Sequence, residues 1–244
     1  MSSREQAPLE PCCLPCHTVF MQHERVKAVL FDLDGTLVNT IDDIVSAINK
    51  ALVEEQVEGI DSSIGKSVVG NGLRNALNKA LLMRGDSVSP QRLEQLYQIL
   101  LSYYRAHPVT YSRPYEGITE MLEDLHSGGL VFGVFSNKAD ELVHEILSVL
   151  FPSHLFQFVL GLREGLPRKP DPMGVHLFCQ EQKVLPEEIL YVGDSEVDYQ
   201  LAINSHCQVA LVTWGFRSES QLRKLDEGII CDTIVQLKRR IHAV

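Results

Sequence analysis

Positive charge is in deficit along this chain: 22 Lys and Arg stand against 32 Asp and Glu, a formal net charge of −10 over 244 residues. A nonspecific grip on nucleic-acid phosphates needs the opposite balance, so nucleic acid is excluded as a partner class, and any anionic ligand has to be met by local positive charge. Long apolar runs are missing as well. None approaches the roughly 20 residues of a membrane-spanning helix, and the stretch before Met21 lacks the apolar centre of a secretory signal, so a cytoplasmic protein with no membrane partner is expected. The six cysteines lack the spacing of a framework: Cys12, Cys13 and Cys16 crowd one short stretch, while Cys179, Cys207 and Cys231 lie far apart. Cys13-x-x-Cys16 with His17 finds no second half-site, so neither structural zinc nor a disulfide is expected. Residues 1–24 carry Pro8, Pro11 and Pro15 and no helical period, which reads as a flexible tail with Met21 as an alternative start.

What is present is ordinary globular composition, 45% hydrophobic and 22% charged, which excludes disorder for most of the chain. From Val26 a short apolar run ends in Asp32-Leu33-Asp34-Gly35-Thr36, a buried strand running into a loop. Three further runs behave alike: Leu130 to Phe135 ends at Ser136-Asn137, Ile189 to Val192 at Gly193-Asp194, and Val209 to Val212 at Thr213-Trp214-Gly215. Helical patterns lie between them, Ile118, Met121, Leu122, Leu125 in one and Val143, Ile146, Leu147, Leu150 in the next. Strands alternating with helices predict an α/β fold with a parallel sheet covered on both faces. Residues 39–111 break the alternation with helical patterns only, such as Ile41, Ile44, Val45, Ile48, Leu52 and Leu93, Leu96, Leu100, Leu101. They are expected to form an inserted helical unit, leaving 25–38 and 112–244 as the core, with the second linker near Tyr111 to Pro114.

Ligands of such sheets bind at the carboxyl ends of the strands, where every polar cluster named above falls. Asp32 and Asp34, two apart, share one side of a strand, and their repulsion has to be relieved by a shared proton, a divalent cation or a division of labour between the acids. Ser136 and Asn137 offer a hydroxyl, an amide and backbone donors to phosphate oxygens, or form a common turn. Lys138 follows directly and is expected at the surface. Lys169, in Arg168-Lys169-Pro170-Asp171-Pro172, sits in a stiffened loop that can hold an ammonium beside acids and a phosphate, or is a surface lysine. Gly193-Asp194-Ser195-x-x-Asp198 ends a strand and opens a helix, with Ser195 or Asp194 as cap. Asp32, Asp34 and Asp194 suit a hard cation such as Mg²⁺, with Asp198 outside them orienting waters or Lys169.

Taken in order, Asp32-x-Asp34-Gly35-Thr36, Ser136-Asn137, Lys169 and Gly193-Asp194-x-x-x-Asp198 resemble the four motifs of the haloacid dehalogenase-like hydrolase superfamily, over residues 26 to about 216. The resemblance implies a Rossmann-like parallel-sheet core with an inserted α-helical cap. It also implies Asp32 as nucleophile, Asp34 as general acid and base, and Mg²⁺ held by the Asp32 side chain, the Asp34 main-chain carbonyl and Asp194. Superfamily dehalogenases lack the second acid, so Asp34 points to phosphate esters. Asp32 would form an aspartyl phosphate with Lys169 and Mg²⁺ neutralising charge.

Val69-Gly70-Asn71-Gly72-Leu73, Pro114-Tyr115-Glu116-Gly117 and Val212-Thr213-Trp214-Gly215-Phe216 resemble the phosphoglycolate phosphatase branch, which implies 2-phosphoglycolate, a small phosphorylated metabolite, as substrate. Gly70 and Gly72 permit tight turns near a ligand, Asn71 is a substrate contact or a helix cap, and Arg74 is placed to meet a substrate carboxylate. His206 stands where this branch has a Gly at a helix end. A pyrophosphatase, a sugar-phosphate phosphatase or mutase, and a non-catalytic phosphate-binding module are the alternatives.

Overall fold

The computed structural model of the chain describes residues 25–226 and 229–243. The expected tail, with Cys12, Cys13, Cys16, His17 and Met21, lies outside the described residues.

The first apolar run forms β1 (Ala28–Phe31), and a short β2 (Val38–Asn39) follows the acidic loop. Four helices come next: α1 (Ile41–Val53), α2 (Ser62–Val68), α3 (Leu73–Met83) and α4 (Pro90–Ala106). The chain then runs through β3 (Arg113–Pro114), α5 (Ile118–Ser127), β4 (Val131–Ala139), α6 (Asp140–Leu150), β5 (Phe158–Leu162) and α7 (Met173–Gln182). It closes with β6 (Ile189–Gly193), α8 (Glu196–Ser205), β7 (Gln208–Val212), α9 (Glu219–Leu222), β8 (Ile230–Cys231) and α10 (Ile234–Ala243).

Six strands pair in the order β5-β4-β1-β6-β7-β8, every pair parallel. In chain order this is the 3-2-1-4-5-6 sequence of a doubly wound Rossmann-like sheet, whose winding reverses between β1 and β6. The pleat explains why the strands read as continuous apolar runs. Val29 and Phe31 face one side with Ile118, Met121, Leu122 and Leu125 of α5 and Val143, Ile146 and Leu147 of α6. Ala28 and Leu30 face the other with Val175 and Phe178 of α7 and Leu201 of α8. Both faces are therefore dry, and the polar residues after β1 and β6 and late in β4 gather at the carboxyl end of the sheet.

The helices between β2 and β3 have an interior of their own, where Ile44, Ile48 and Leu52 of α1 meet Leu77 of α3 and Leu96, Leu100 and Tyr104 of α4. Leu142 and Phe216, from the sheet part of the chain, join that interior. The two connections lie side by side, since β2 and β3 pair antiparallel, Val38 with Pro114 and Asn39 with Arg113. Asp43, buried in the first turn of α1, accepts hydrogen bonds from the Ser112 amide (2.8 Å), the Ser112 hydroxyl (2.6 Å) and the Tyr111 amide (3.0 Å). One carboxylate thus ties the second connection to the first helix after the first connection.

Two strands of the six-stranded sheet were not anticipated, nor was the β2–β3 pair. β8 is two residues long, too short to show alternation, and β5 carries Gly161 inside a five-residue run. His206 adopts the left-handed conformation (φ 58°, ψ 30°) at the end of α8, so the position has the geometry that favours glycine although its residue is not glycine.

Candidate active site

Asp32 is the first residue beyond β1, and its amide donates to the Val192 carbonyl of β6 (2.9 Å), so the ladder itself fixes its place at the reversal of the sheet. Its Oδ1 accepts from the Leu33 amide (2.7 Å) and lies 2.9 Å from Lys169 Nζ. Lys169 arrives from the loop between β5 and α7. Its ammonium also donates to Asp198 Oδ1 (2.8 Å) and Tyr191 Oη (3.1 Å) and is buried. Burial opposes that charge, but the carboxylates of Asp198 and Asp32 outweigh it and hold the ammonium well above its ordinary value.

Asp198 is fully buried, and its second oxygen is saturated by the Ser195 hydroxyl (2.6 Å), the Ser195 amide (3.1 Å) and the Asp194 amide (3.2 Å). It closes a capping box with Ser195, the cap of α8, while its other oxygen orients Lys169. Asp194 is the first residue beyond β6 and accepts from the Phe216 amide (2.6 Å). Gly35 and Gly215 enclose it: a Cβ on either would fall 2.4 Å from Asp194 side-chain atoms, and Gly35 has φ +84°. These two glycines let a buried carboxylate sit between two loops. Burial pushes the Asp32 carboxyl up, Asp198 and Asp34 add repulsion and Lys169 opposes it, leaving a rise from 3.8 to about 7. Burial likewise raises Asp194, with repulsion from Asp198 and Asp32 adding to it.

Asp34 lines the same pocket but has partners of its own. Its Oδ1 accepts from the Thr40 hydroxyl (2.5 Å) and from Lys138 Nζ (2.8 Å). The two acids of Asp32-x-Asp34 are thus divided between two lysines, which offset part of the repulsion seen in the sequence. It also corrects one expectation: Lys138 is buried, not on the surface. The Lys138 ammonium donates to Tyr104 Oη of α4 (2.7 Å) and lies 4.6 Å from that ring's centroid.

Ser136 and Asn137 both line the pocket over Asp32, yet they differ. Asn137 Oδ1 accepts from the Lys169 amide (2.8 Å) and its Nδ2 donates to the Lys169 carbonyl (3.2 Å), so this side chain holds the lysine's backbone, a role the expected substrate contact did not include. Gly70 lines the same pocket. Asn71 and Arg74 line a neighbouring one; Arg74 pairs with Glu94 (3.0 Å) on the exposed face of α4 and is absent from the lining around Asp32, contrary to expectation. Gly72, not Asn71, occupies the cap position of α3.

Comparison with known proteins adds the family. Residues 29–212 match the haloacid dehalogenase-like hydrolase model. The chain belongs to the haloacid dehalogenase-like hydrolases. Among its relatives are a phosphoglycolate phosphatase of Cereibacter sphaeroides, 36% identical over 89% of this chain and 100% of that one, and one of Haemophilus influenzae, 30% identical over 87% and 97%. A crystal structure from Lactobacillus delbrueckii subsp. bulgaricus, proposed to be a phosphoglycolate phosphatase, superposes with a TM-score of 0.85 at 29% identity, over 91% of this chain and 100% of that one.

The haloacid dehalogenase-like motifs led to Asp32, Lys169, Asp194 and Asp198 but not to Arg217. Its Nε donates to Glu196 (2.9 Å), while Nη2 and Nη1 donate to the Val69 (3.0 Å) and Lys66 (3.2 Å) carbonyls of the α2–α3 segment. It lines the pocket, and a Cβ on Gly70 would fall 2.6 Å from its Nη2, so Gly70 makes room for the guanidinium as well as for a turn (φ +114°). Its position one residue beyond Trp214-Gly215-Phe216 was the available signal. Arg168 Nη1 reaches the Asn71 carbonyl (3.5 Å) from the opposite side.

Oxygen ligand atoms of Asp32, Asp194 and Asp198 lie within 4.8 Å of one another. Asp198 is committed to Lys169 and to the α8 cap, which leaves Asp32 and Asp194, two buried carboxylates in need of a counter-charge and offering hard oxygens. That donor set fits Mg²⁺. Among the described residues no helix is long and apolar enough to cross a membrane.

Proposed function

We propose that this chain is a cytoplasmic, Mg²⁺-dependent phosphoglycolate phosphatase acting on 2-phosphoglycolate through an aspartyl-phosphate intermediate. The observation that carries the reading is the buried Asp32 carboxylate, ion-paired at 2.9 Å with Lys169 and lining one pocket with Asp34, Asp194 and Ser136. The names of the relatives support the substrate, and residues 39–111 are read as the cap that selects it, over a core of 25–38 and 112–244.

In the first step Asp32 attacks phosphorus while the bond to the ester oxygen breaks, and Asp34 gives that oxygen its proton. In the second, Asp34 takes a proton from water as the water oxygen attacks phosphorus. The bond to Asp32 breaks, and inorganic phosphate and the free carboxylate result. Lys169, held by Asp198, Tyr191 and the Asn137 amide, balances charge on the transferring group. Ser136 Oγ lines the pocket beside it and suits a non-bridging oxygen. Asp32 and Asp194, with the Asp34 main-chain carbonyl, would hold Mg²⁺, which when bound supplies Lewis-acid neutralisation of the phosphate.

The test is phosphate release from 2-phosphoglycolate, a sugar phosphate and pyrophosphate, each with Mg²⁺ and with excess chelator. Preference for 2-phosphoglycolate, abolished by chelator, is expected. Release from another ester alone would overturn the substrate, and release unaffected by chelator would overturn the metal.

A further inference from the structure

We propose that Lys138 is the positioning residue for Asp34, and that Tyr104 makes this hold depend on the helical cap being seated. The proposal rests on the reading of Asp34 as general acid and base, and it adds two residues that lie outside the four motifs.

Lys138 is costly to place where it is. Its side chain has no exposure, and a buried ammonium persists only where its hydrogens are satisfied. Two partners do so: Asp34 Oδ1 at 2.8 Å and Tyr104 Oη at 2.7 Å, with the Tyr104 ring face 4.6 Å away. Thr40 donates to that same Asp34 oxygen at 2.5 Å. Thr40 occupies the cap position of α1, yet its side chain makes no capping bond; its hydroxyl is given to Asp34 instead. With Oδ1 tied from two directions the carboxyl plane is fixed, and Oδ2 is left to pass the proton to the departing ester oxygen as the bond from Asp32 to phosphorus forms.

The three partners come from different parts of the fold. Lys138 lies on β4, Thr40 at the first connection, and Tyr104 on α4, where it is fully buried in the interior of the helical unit. Tyr104 moves with that unit. If the cap lifts, Lys138 loses a hydrogen-bond acceptor and an aromatic face together, and the arm that aligns Asp34 slackens. Proton delivery is then confined to the seated cap, when bulk water is kept from the pocket.

The leaving group separates this role from a merely structural one. An alkoxide needs its proton in the transition state, whereas the p-nitrophenolate of p-nitrophenyl phosphate leaves without one. kcat/KM reports the first phosphoryl transfer for both. For Lys138→Met, kcat/KM on 2-phosphoglycolate is expected to fall by about 10²–10³-fold, the range of general acid catalysis, and on p-nitrophenyl phosphate by no more than about threefold. Tyr104→Phe keeps the ring, removes only the hydroxyl and guards against misfolding of the lysine variant; a fall of about tenfold confined to the alkyl ester is expected. Equal falls on both esters would mean that Lys138 binds phosphate or supports the fold, and the proposal would be lost while the phosphatase reading stands. An unchanged Tyr104→Phe would remove the link to the cap. Wild-type protein inert on both esters would remove the phosphatase reading and the proposal together.

Discussion

Around the carboxyl ends of the strands, Asp32, Asn137 and Asp194, with Lys169 from the β5–α7 loop and Asp198 from the first turn of α8, are all buried, each with named partners below 3.3 Å. On the helical side Arg74 is exposed in a surface ion pair, Asn71 is half-buried, and the pocket is lined by Val69, Gly70 and Gly72 of the α2–α3 connection and by Leu73 and Ala76 of α3. The sheet end invests in side-chain chemistry held rigid by second partners; the helical side invests in shape and in backbone carbonyls that the core's Arg217 and Arg168 grip. Under the proposed function, rigid alignment belongs where bonds are broken, and a cap that opens to admit a ligand is better held by contacts that can be broken and remade.

Substitutions can break this comparison, and the largest effect is expected at the sheet end. Asp32→Asn removes the attacking carboxylate, and turnover should fall by roughly 10⁴-fold or more, measured as phosphate release. A fall of only tenfold would leave Asp32 without its proposed role. The same substitution has an opposite effect on stability. The folded-state pKa of Asp32 is raised to about 7 from 3.8, mainly by burial. Its contribution is therefore fully present below the unfolded value and is lost as pH rises through the folded one. In excess chelator, Asp32→Asn should melt several degrees above the wild-type chain at pH 8 and close to it at pH 4. A stabilisation equal at both pH values would show that the charge is not its source.

Next in size is the contrast between arginines. Arg217→Ala frees two carbonyls of the α2–α3 segment and should raise KM about tenfold, a loss of about 1.4 kcal/mol. Arg74→Ala removes an exposed pair with Glu94, of a kind worth about 0–1 kcal/mol in stability, and should change KM less than twofold. If Arg74 proved the more sensitive of the two, the helical side would contact substrate through side chains after all. The smallest effect lies outside both regions. His206→Gly relieves a left-handed backbone and should raise Tm by roughly 1–3 °C, for about 0.5–1 kcal/mol, with unchanged kinetics.

The contrast also explains what could be read in advance. Asp32, Lys169, Asp194 and Asp198 stand at strand ends, in a stiffened loop or in the first turn of the helix that follows a strand, and a buried parallel sheet delivers such positions to one crevice whatever the details of packing. Lys138 was legible as a residue but not as a buried one, because its burial depends on Tyr104, 34 positions away on another element. Asn137 was legible as polar, but only the fold brings Lys169 to its amide, 32 positions on. Arg74 illustrates the converse: three residues beyond Asn71, it sits on the outer side of α3, where Glu94 of α4 is its neighbour.

Periodicity and the placement of acids therefore determined the class of fold, the end of the sheet that carries the site, and the residues with the charge to act there, because these follow from rules local to a strand or a helix. Which lysine serves which aspartate, which arginine grips the helical unit, and which side chains lie over Asp32 were decided by tertiary structure alone. Each depends on distances between elements far apart in the chain, and no local period encodes them.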